Sequence, residues 1–500
     1  MLLQSTCRRI ALARPSTLAS TMPLRAKILT PGSRQSSSAA DIKELPGDED
    51  NDVLFNTHGG VRSITLNRPK KLNSLNGSMA RKIVPRLREW SKSDLANVVI
   101  IKGEGRAFCA GGDVAWLAQR NKTGTEGQQE SKDYFGLEYK LDHLIATYRK
   151  PYVAFIDGIT MGGGVGLSLH APFRIATENT VFAMPETNIG FFPDVGASFF
   201  LPRMDGELGN YCALTSEQIK GADVFFAGVA THYIHSSSLP DLEARLSELN
   251  FKDYDSLQQR LQIINSTIEE FATGIPHDKP ISGPVGGNVR AAIDYAFQPA
   301  NDINAILKAL EEDLETSSNK TIAEWAAKTR KTILQRSPTS VAVTMRQLRA
   351  GASWSIAQTF RNEHTIASRF MEHPDFIEGV TALLVDKPKR TPTWTPESLD
   401  QVSKKDVDAF FDFSRPTTFE LLDQEAGGSG EDYTAYPHAW IGLPSDNEVR
   451  AQVGNGGTTK EKVVEYFVKK RSGKQGVKEK VEEILKRKTE IREGGLYWNR

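Results

Sequence analysis

Residues 150–203 read KPYVAFIDGITMGGGVGLSLHAPFRIATENTVFAMPETNIGFFPDVGASFFLPR. An apolar run, Val153–Ile156, leads through Gly158 to Gly162-Gly163-Gly164 and then to a helical pattern carrying Leu167 and Leu169. A short apolar run bounded by glycine predicts a buried strand, so this segment predicts strand, glycine loop and helix in succession. Glycine lets the backbone approach a ligand closely, and the first turn of a helix leaves its N–H groups without partners. Such donors stabilise an oxygen that gathers negative charge during a reaction. Two carboxylates follow, Glu186 and Asp194, flanked by Met184-Pro185 and by Phe191-Phe192-Pro193. Together these residues predict a site that holds a carbonyl group against backbone donors, with an acid or base beside it. Phe191 and Phe192 are candidates for an apolar wall of that site.

A second turn of the same kind, Phe108-Cys109-Ala110-Gly111-Gly112-Asp113, falls between a predicted strand and a helical start. Two such turns can aim two N–H groups at one oxygen. Other signatures are absent. No glycine run continues into the Gly-Lys-Ser/Thr of a phosphate loop, and Leu167 stands where a dinucleotide fingerprint needs its last glycine. Gly196-Ala197-Ser198 lacks the closing glycine of a nucleophile elbow. Three cysteines without a CxxC pair support neither a disulfide scaffold nor a zinc ribbon, and no metal is expected. Cys109 has no partner base in the sequence and is expected to be a small core filler.

Outward from this stretch, α and β elements alternate. Val53–Phe55 and Val61–Leu66 flank Gly59-Gly60 and predict a hairpin. Met79, Ile83, Val84, Leu87 and Trp90 have helical spacing, with Pro85 expected to kink that helix. Val98–Ile101 is another buried-strand candidate, and residues 131–148 predict a helix with Phe135, Leu141, Leu144 and Ile145 turned inward. Recurring strand, loop and helix predict crossover units and a largely parallel sheet, an α/β domain over 41–275. A helical module over 276–396 follows, with a stripe of Ile303, Ile306, Leu307, Leu310 and Leu314 and a helix that Ser337-Pro338 starts and Gly351 closes. Its last helix holds Ile356, Phe360, Ile366 and Phe370. Residues 397–500 read as a basic, partly flexible extension, with Gly427–Gly430 and Gly454–Gly457 as joints. From Lys460 onward it carries 13 Lys/Arg against 7 Asp/Glu, and two short amphipathic helices are predicted through Val463–Val468 and Val477–Leu485.

Over the whole chain, 62 basic residues balance 62 acidic ones, so no global field attracts nucleic acid or membrane. No apolar run approaches the length that spans a bilayer. Residues 1–40 contain Arg8, Arg9, Arg14, Arg25, Lys27 and Arg34, frequent serine and no acid before Asp41. That is the composition of a mitochondrial transit peptide, and arginines interrupt any stretch that would serve a secretory signal.

The pairing of AFCAGGDV (107–114) with GITMGGGVGLSLH (158–170) resembles the crotonase superfamily of acyl-CoA enzymes, also called the enoyl-CoA hydratase/isomerase superfamily. FAMPETNIGFFPDVGASFFLPR (182–203) is similar to one branch, the 3-hydroxyisobutyryl-CoA hydrolases. The similarity continues through LTSEQIKGADVFFAGVATHYI (214–234), SPTSVAVTMRQL (337–348) and HPDFIEGVTALLVDK (373–387), and so covers about residues 50–396. The resemblance implies repeated ββα units and an oxyanion hole made by the N–H groups of Gly112 and Gly163. It also places Glu138 and Gly163 at substrate-contacting positions, and Glu186 and Asp194 at catalytic ones. It implies hydrolysis of 3-hydroxyisobutyryl-CoA in valine breakdown, in the mitochondrial matrix, with no cofactor beyond the coenzyme A of the substrate. The hydratase branch carries a glutamate where this chain has Gly166, which argues against hydration.

Two chemical routes stay open at this point. Glu186 can attack the thioester carbonyl to give a mixed anhydride, or it can activate a water as general base. Asp194 can orient that water or bind the substrate hydroxyl. Similar proteins also occur in the small subunit of the mitochondrial ribosome. The alternative reading is therefore a ribosome component, with rRNA contact through the basic extension. Oligomeric state is left open.

Overall fold

In the computed structural model the described residues are 42–499, apart from 253, 273, 277–279, 282, 415–417, 423–426, 455 and 493–494. The expected targeting segment, 1–40, lies outside them. The hairpin forms as β1 (Val53–His58) and β2 (Val61–Leu66), antiparallel, with Val53 opposite Leu66. From β2 onward each ladder of the main sheet is parallel. β3 (Val98–Gly103) lies beside β2, β5 (Tyr152–Phe155) beside β3, β7 (Phe173–Ala176) beside β5, and β10 (His232–Tyr233) beside β7. A smaller sheet joins β4 (Ala107–Cys109), β6 (Ile159–Met161) and β8 (Val181–Ala183) in parallel, with β9 (Ile219–Lys220) antiparallel at its edge. Three successive units thus send one strand to each sheet: β3 and β4, β5 and β6, β7 and β8. The α/β fold of repeated ββα units is the one expected.

Period-two alternation decides which core each side chain enters. Val98, Ile100, Val153, Phe155, Phe173 and Ile175 meet Leu242 and Leu246 of helix Leu239–Ser247, and Leu261, Ile264 and Ile268 of helix Leu257–Glu269. Val99, Ile101 and Ala154 face the larger core on the other side. A parallel sheet buried on both faces appears in sequence as a continuous apolar run, which is why Val98–Ile101 and Val153–Ile156 stand out.

Four helices position the site: α1 (Gly77–Ser91), α2 (Val114–Asn121), α3 (Thr125–Ala146) and α4 (Gly163–Leu169). Asn76 caps α1 by accepting from the Met79 N–H at 2.9 Å, and α1 continues past Pro85. Its buried face is Met79, Ile83, Val84, Leu87 and Trp90, at helical spacing. Ser337 caps helix Pro338–Gly351, and Ser355 caps helix Ile356–Phe370. Their apolar faces join the same core as α1 and α3, so residues 42 onward fall within one compact unit.

The extension is docked where the sequence suggested a joint. Gly428 bridges to Tyr148, and the Ser429 N–H donates to the Thr147 carbonyl at 2.6 Å. Helices Lys460–Lys470 and Val477–Lys488 form as expected. With β11 (Thr489–Arg492) and β12 (Gly495–Trp498) they close a small core that includes Val463, Phe467, Val481, Ile484 and Leu496. Part of the basic excess is spent inside the chain. Lys480 pairs with Asp205 at 2.9 Å and Lys474 pairs with Glu269. Arg487 reaches Asp294 at 2.9 Å and Asp446 and Glu483 at 3.1 Å. A count of charges along the chain does not see partners nearly 200 residues away.

The Arg487 side chain is 3% exposed. Removing one partner of a buried ion pair typically costs about 3–5 kcal/mol, because the other charge stays behind. Arg487→Met is therefore expected to lower the urea-unfolding midpoint by an amount equivalent to about 3 kcal/mol. Lys462→Met, at an exposed position of the same extension, is expected to leave it unchanged.

Candidate functional site

The glycine run of α4 is shaped by carboxyl groups pressed against it. A Cβ on Gly163 would lie 2.5 Å from Glu138 Oε1, and one on Gly166 would lie 2.4 Å from Asp142 Oδ2. Glu138 and Asp142 are one turn apart on α3, so they share a face. Gly162 has φ of +45°, and its Cβ would be 3.1 Å from Glu186 Oε1. Glu186 opens the helical turn Glu186–Ile189 directly after β8 and is 5% exposed. No larger residue fits at Gly163 or Gly166 without displacing an acid.

The second turn is brought to the same place. Leu75 fixes it, its N–H donating to the Gly111 carbonyl and its own carbonyl accepting from the Asp113 N–H, both at 2.8 Å. Tyr134 OH donates to the same Leu75 carbonyl at 3.0 Å. The Gly112 nitrogen lies 3.4 Å from where a Gly163 Cβ would stand. Among the described residues neither the Gly112 nor the Gly163 N–H donates a hydrogen bond. Two unpaired donors therefore converge beside Glu138 and Glu186.

Asp194, 4% exposed, completes the group and accepts from Tyr139 OH at 2.7 Å. The structure thus brings together Gly112, Gly163, Glu138, Glu186 and Asp194. Its loop is held from the helical module. Glu363 accepts from the Gly196 N–H at 2.7 Å and from the Ser198 N–H and hydroxyl at 2.8 and 2.6 Å. Gln347 Nε2 donates to the Pro193 carbonyl at 2.5 Å and to Ser198 Oγ at 2.8 Å.

Asp142, Tyr139, Glu363 and Gln347 were not visible as site residues from motif alone. A signal exists, since Glu363 falls on the apolar stripe of Ile356, Phe360, Ile366 and Phe370. An acid on such a stripe must be buried and needs a partner. Phe191 and Phe192 pack ring on ring with Phe135 and Phe370, at centroid distances of 5.1 and 5.4 Å. They belong to the core that fixes the 186–194 turn. Cys109 is buried, and burial pushes its thiol up to about 12, as befits a core filler.

Burial raises every carboxyl of the cluster. Glu186 and Glu138 are pushed well above the carboxylate range by burial, with the Asp194 charge adding to it. Asp142 is raised by burial, then by Glu138, Asp194 and Glu363. Asp194 reaches only about 7, because Tyr139 and its own backbone offset part of the burial effect. Burial takes Glu363 to about 8. Among the described residues no lysine or arginine forms an ion pair with any of the five, and no cluster has the geometry for a metal ion. A cleft of about 490 Å³, lined by Arg68, Arg81, Asp113, Trp116 and Tyr134, adjoins the Gly112 turn.

Comparison with known proteins agrees with this geometry. The Enoyl-CoA hydratase/isomerase description matches residues 61–411. The chain belongs to the enoyl-CoA hydratase/isomerase family. Among solved members, a carnitinyl-CoA dehydratase from Mycobacterium thermoresistibile is 32% identical, with a TM-score of 0.64 over 76% of this chain and 100% of that one. An enoyl-CoA hydratase from Rhodobacter sphaeroides is 31% identical, with a TM-score of 0.60 over 72% and 97%. Small ribosomal subunit protein mS47 of Neurospora crassa is 54% identical over 95% of this chain and 92% of its own. The mitochondrial 3-hydroxyisobutyryl-CoA hydrolase of Gallus gallus is 44% identical over 72% and 88%.

Both Asp142 oxygens are buried without a hydrogen-bond partner. An aspartate titrates near 3.9 in the unfolded chain, roughly the model-peptide value. With a higher folded value, the stability Asp142 allows is fully present below that pH and is lost as pH rises toward the folded value. Asp142→Asn removes this proton demand. It is expected to flatten the fall of unfolding free energy as pH rises above about 4, by up to about 1.4 kcal/mol per pH unit. An unchanged slope in urea titrations across that range would refute the assignment.

Proposed function

We propose that the protein is a mitochondrial acyl-CoA thioester hydrolase acting on 3-hydroxyisobutyryl-CoA, the substrate class of the valine-breakdown step. One observation carries the reading: two N–H groups unpaired among the described residues, of Gly112 and Gly163, converge beside Glu186 and Glu138, with the Asp194 charge acting on both. The likeness to the Gallus gallus hydrolase over most of that protein's length supports the substrate. The basic, acid-free residues 1–40 and that relative's mitochondrial location support the compartment.

The thioester oxygen is held by the two N–H groups, and each such donor is worth roughly 3–4 kcal/mol as charge develops. Asp194 is the acid closest to ionising at neutral pH, while Glu186 keeps its proton. Coupled carboxyls titrate as a set, and environments that split them assign base and acid. In this reading ionised Asp194 takes a proton from water as the water oxygen adds to the carbonyl carbon. The oxyanion collapses, the carbon–sulfur bond breaks, and Glu186 gives its proton to the departing thiolate. Transfer of the proton from Asp194 to Glu186 restores the site. Direct attack by Glu186 would first need that buried group ionised beside Asp194, so the water route is favoured. Gly166 offers no side chain for a second glutamate, and Asp142 fills the space in front of it.

Release of coenzyme A from 3-hydroxyisobutyryl-CoA by the purified protein tests this directly. Glu186→Gln is expected to lower kcat by about 10²–10⁴-fold. Native kcat/KM is expected to rise as Asp194 ionises through about pH 7, and Asp194→Asn to abolish that limb. No thiol release by the native protein, or full activity in Glu186→Gln, would sink the reading.

A second role, in the small ribosomal subunit of mitochondria, is favoured by a separate observation. The likeness to mS47 of Neurospora crassa spans 95% of the chain, whereas the likeness to the hydrolase spans 72%. Lys462, Lys469, Lys478 and Lys486 are exposed on helices Lys460–Lys470 and Val477–Lys488 and offer phosphate contacts. The two roles are compatible, since the carboxyl cluster is intact. The protein is expected to co-sediment with mitochondrial small subunits, and changing those four lysines to glutamine to release it. Failure of the native chain to co-sediment at low salt would exclude this role.

A further inference from the structure

A cavity of about 200 Å³ lies where the extension closes over the ββα body. Its charged and polar lining includes Arg174, Arg203, Asp205, Tyr436, His438 and Lys480. Three cations therefore face one carboxylate. Asp205 is already taken, because Lys480 pairs with it at 2.9 Å. Arg203 donates all its N–H groups to the carbonyls of Phe199, Gly351, Ala352, Trp354 and Thr434, and its guanidinium lies 3.8 Å over the Phe199 ring.

Arg174 differs. It is 7% exposed, and among the described residues no carboxylate lies within ion-pair distance of it. Nε donates to the Val229 carbonyl at 2.6 Å. Nη1 donates to the Ala171 carbonyl and to Tyr436 OH, both at 2.8 Å. Among the described residues Nη2 donates to nothing, which leaves one tine of the fork open. His438 Nδ1 is buried without a partner in the same lining. Burial, with Arg174 adding, pushes the His438 ring down to about 4, so it is neutral near pH 7 and can carry its proton on Nδ1.

A buried guanidinium without a counter-charge is costly, and an anion removes that cost. The planar fork of arginine suits a carboxylate or a phosphate oxygen pair. The rest of the lining is largely apolar, with Leu169 from the body and Leu443 from the extension. A bare phosphate would leave that surface unused, whereas a short aliphatic acid covers it. We propose that this cavity binds a small aliphatic carboxylate, with its charged end on Arg174 Nη2 and His438 Nδ1 and its alkyl end against the apolar lining. The site is distinct from the carboxyl cluster, and His170 forms part of the wall between them, its Nε2 lying 2.8 Å from the Val195 carbonyl. It requires both the body and the extension, and it does not depend on the hydrolase reading.

Calorimetric titration of isobutyrate into the full-length protein tests the proposal, with isobutyramide and inorganic phosphate as the other probes. Isobutyrate is expected to bind at one site outside the carboxyl cluster, with a Kd of about 1 mM or tighter. Isobutyramide, which lacks the charge, is expected to bind at least about tenfold more weakly. Arg174→Met is expected to abolish binding. Because Arg174 also holds two carbonyls of the body and Tyr436 of the extension, His438→Leu serves as the second variant, with an expected several-fold loss. A crystal soaked in isobutyrate gives a readout that needs no variant: density against Arg174 supports the site. Equal binding of amide and acid, tighter binding of phosphate than of isobutyrate, or unaltered affinity in folded Arg174→Met or His438→Leu would each overturn it.

Discussion

The constraint on which the rest depends is the absence of a Cβ at Gly163 and Gly166. Only there can Glu138 and Asp142 come within 2.5 Å of where a side chain would begin. That approach sets the distance between α3 and α4, and with it the aim of the α4 N-terminus. The second strand of one unit, β4, delivers Gly112, and the second strand of the next, β6, delivers Gly163. Their parallel pairing makes the two turns neighbours. The ββα repeat therefore produces a pair of convergent donors as a by-product of sheet topology, and the flanking acids decide what those donors serve.

Concentrating acids in a buried site without basic partners costs stability, and burial favours their protonated forms. Glu138, Asp142 and Glu186 are held well above the carboxylate range, mainly by burial. Asp194 is the exception because Tyr139 donates to it. The Tyr139 hydroxyl and the backbone thus set Asp194 apart from its neighbours, a separation of the kind that proton-transfer chemistry uses. The Asp194 loop is pinned by Glu363 and Gln347, which come from helices more than 150 residues later in the chain. Such fixation of a reactive group by neighbouring hydrogen bonds is what preorganisation consists of.

The sequence was most legible where one local rule decided the outcome. Val98–Ile101 and Val153–Ile156 are continuous apolar runs because both sheet faces are covered. Gly112, Gly163, Glu186 and Asp194 lie in compact motifs whose chemistry can be read over a dozen residues. Legibility failed where contacts span the chain. Asp142 gives no motif, because its significance lies in facing Gly166, 24 positions away and on another helix. Glu363 shows only as an acid on an apolar stripe, and Gln347 as an ordinary helix residue, until the Asp194 loop is folded against them. The glycines at 427–430 read as a joint, since glycine favours flexibility in an isolated chain. Here Gly428 instead completes a bridge to Tyr148.

The extension shows how a charge count can mislead in a physically simple way. Its basic excess suggested a surface turned outward, yet Lys474, Lys480 and Arg487 are turned inward and paired with acids of the body or of the extension itself. Pairing inside the fold removes these charges from any external field and makes docking of the extension depend on them. What remains outside includes Lys462, Lys469, Lys478 and Lys486, and it is such exposed cations that can meet a polyanion. The same closure buries Arg174 beneath Tyr436. Among the described residues no carboxylate lies within ion-pair distance of Arg174, so the same docking that pairs Lys474, Lys480 and Arg487 also encloses a guanidinium held only by carbonyls and a hydroxyl.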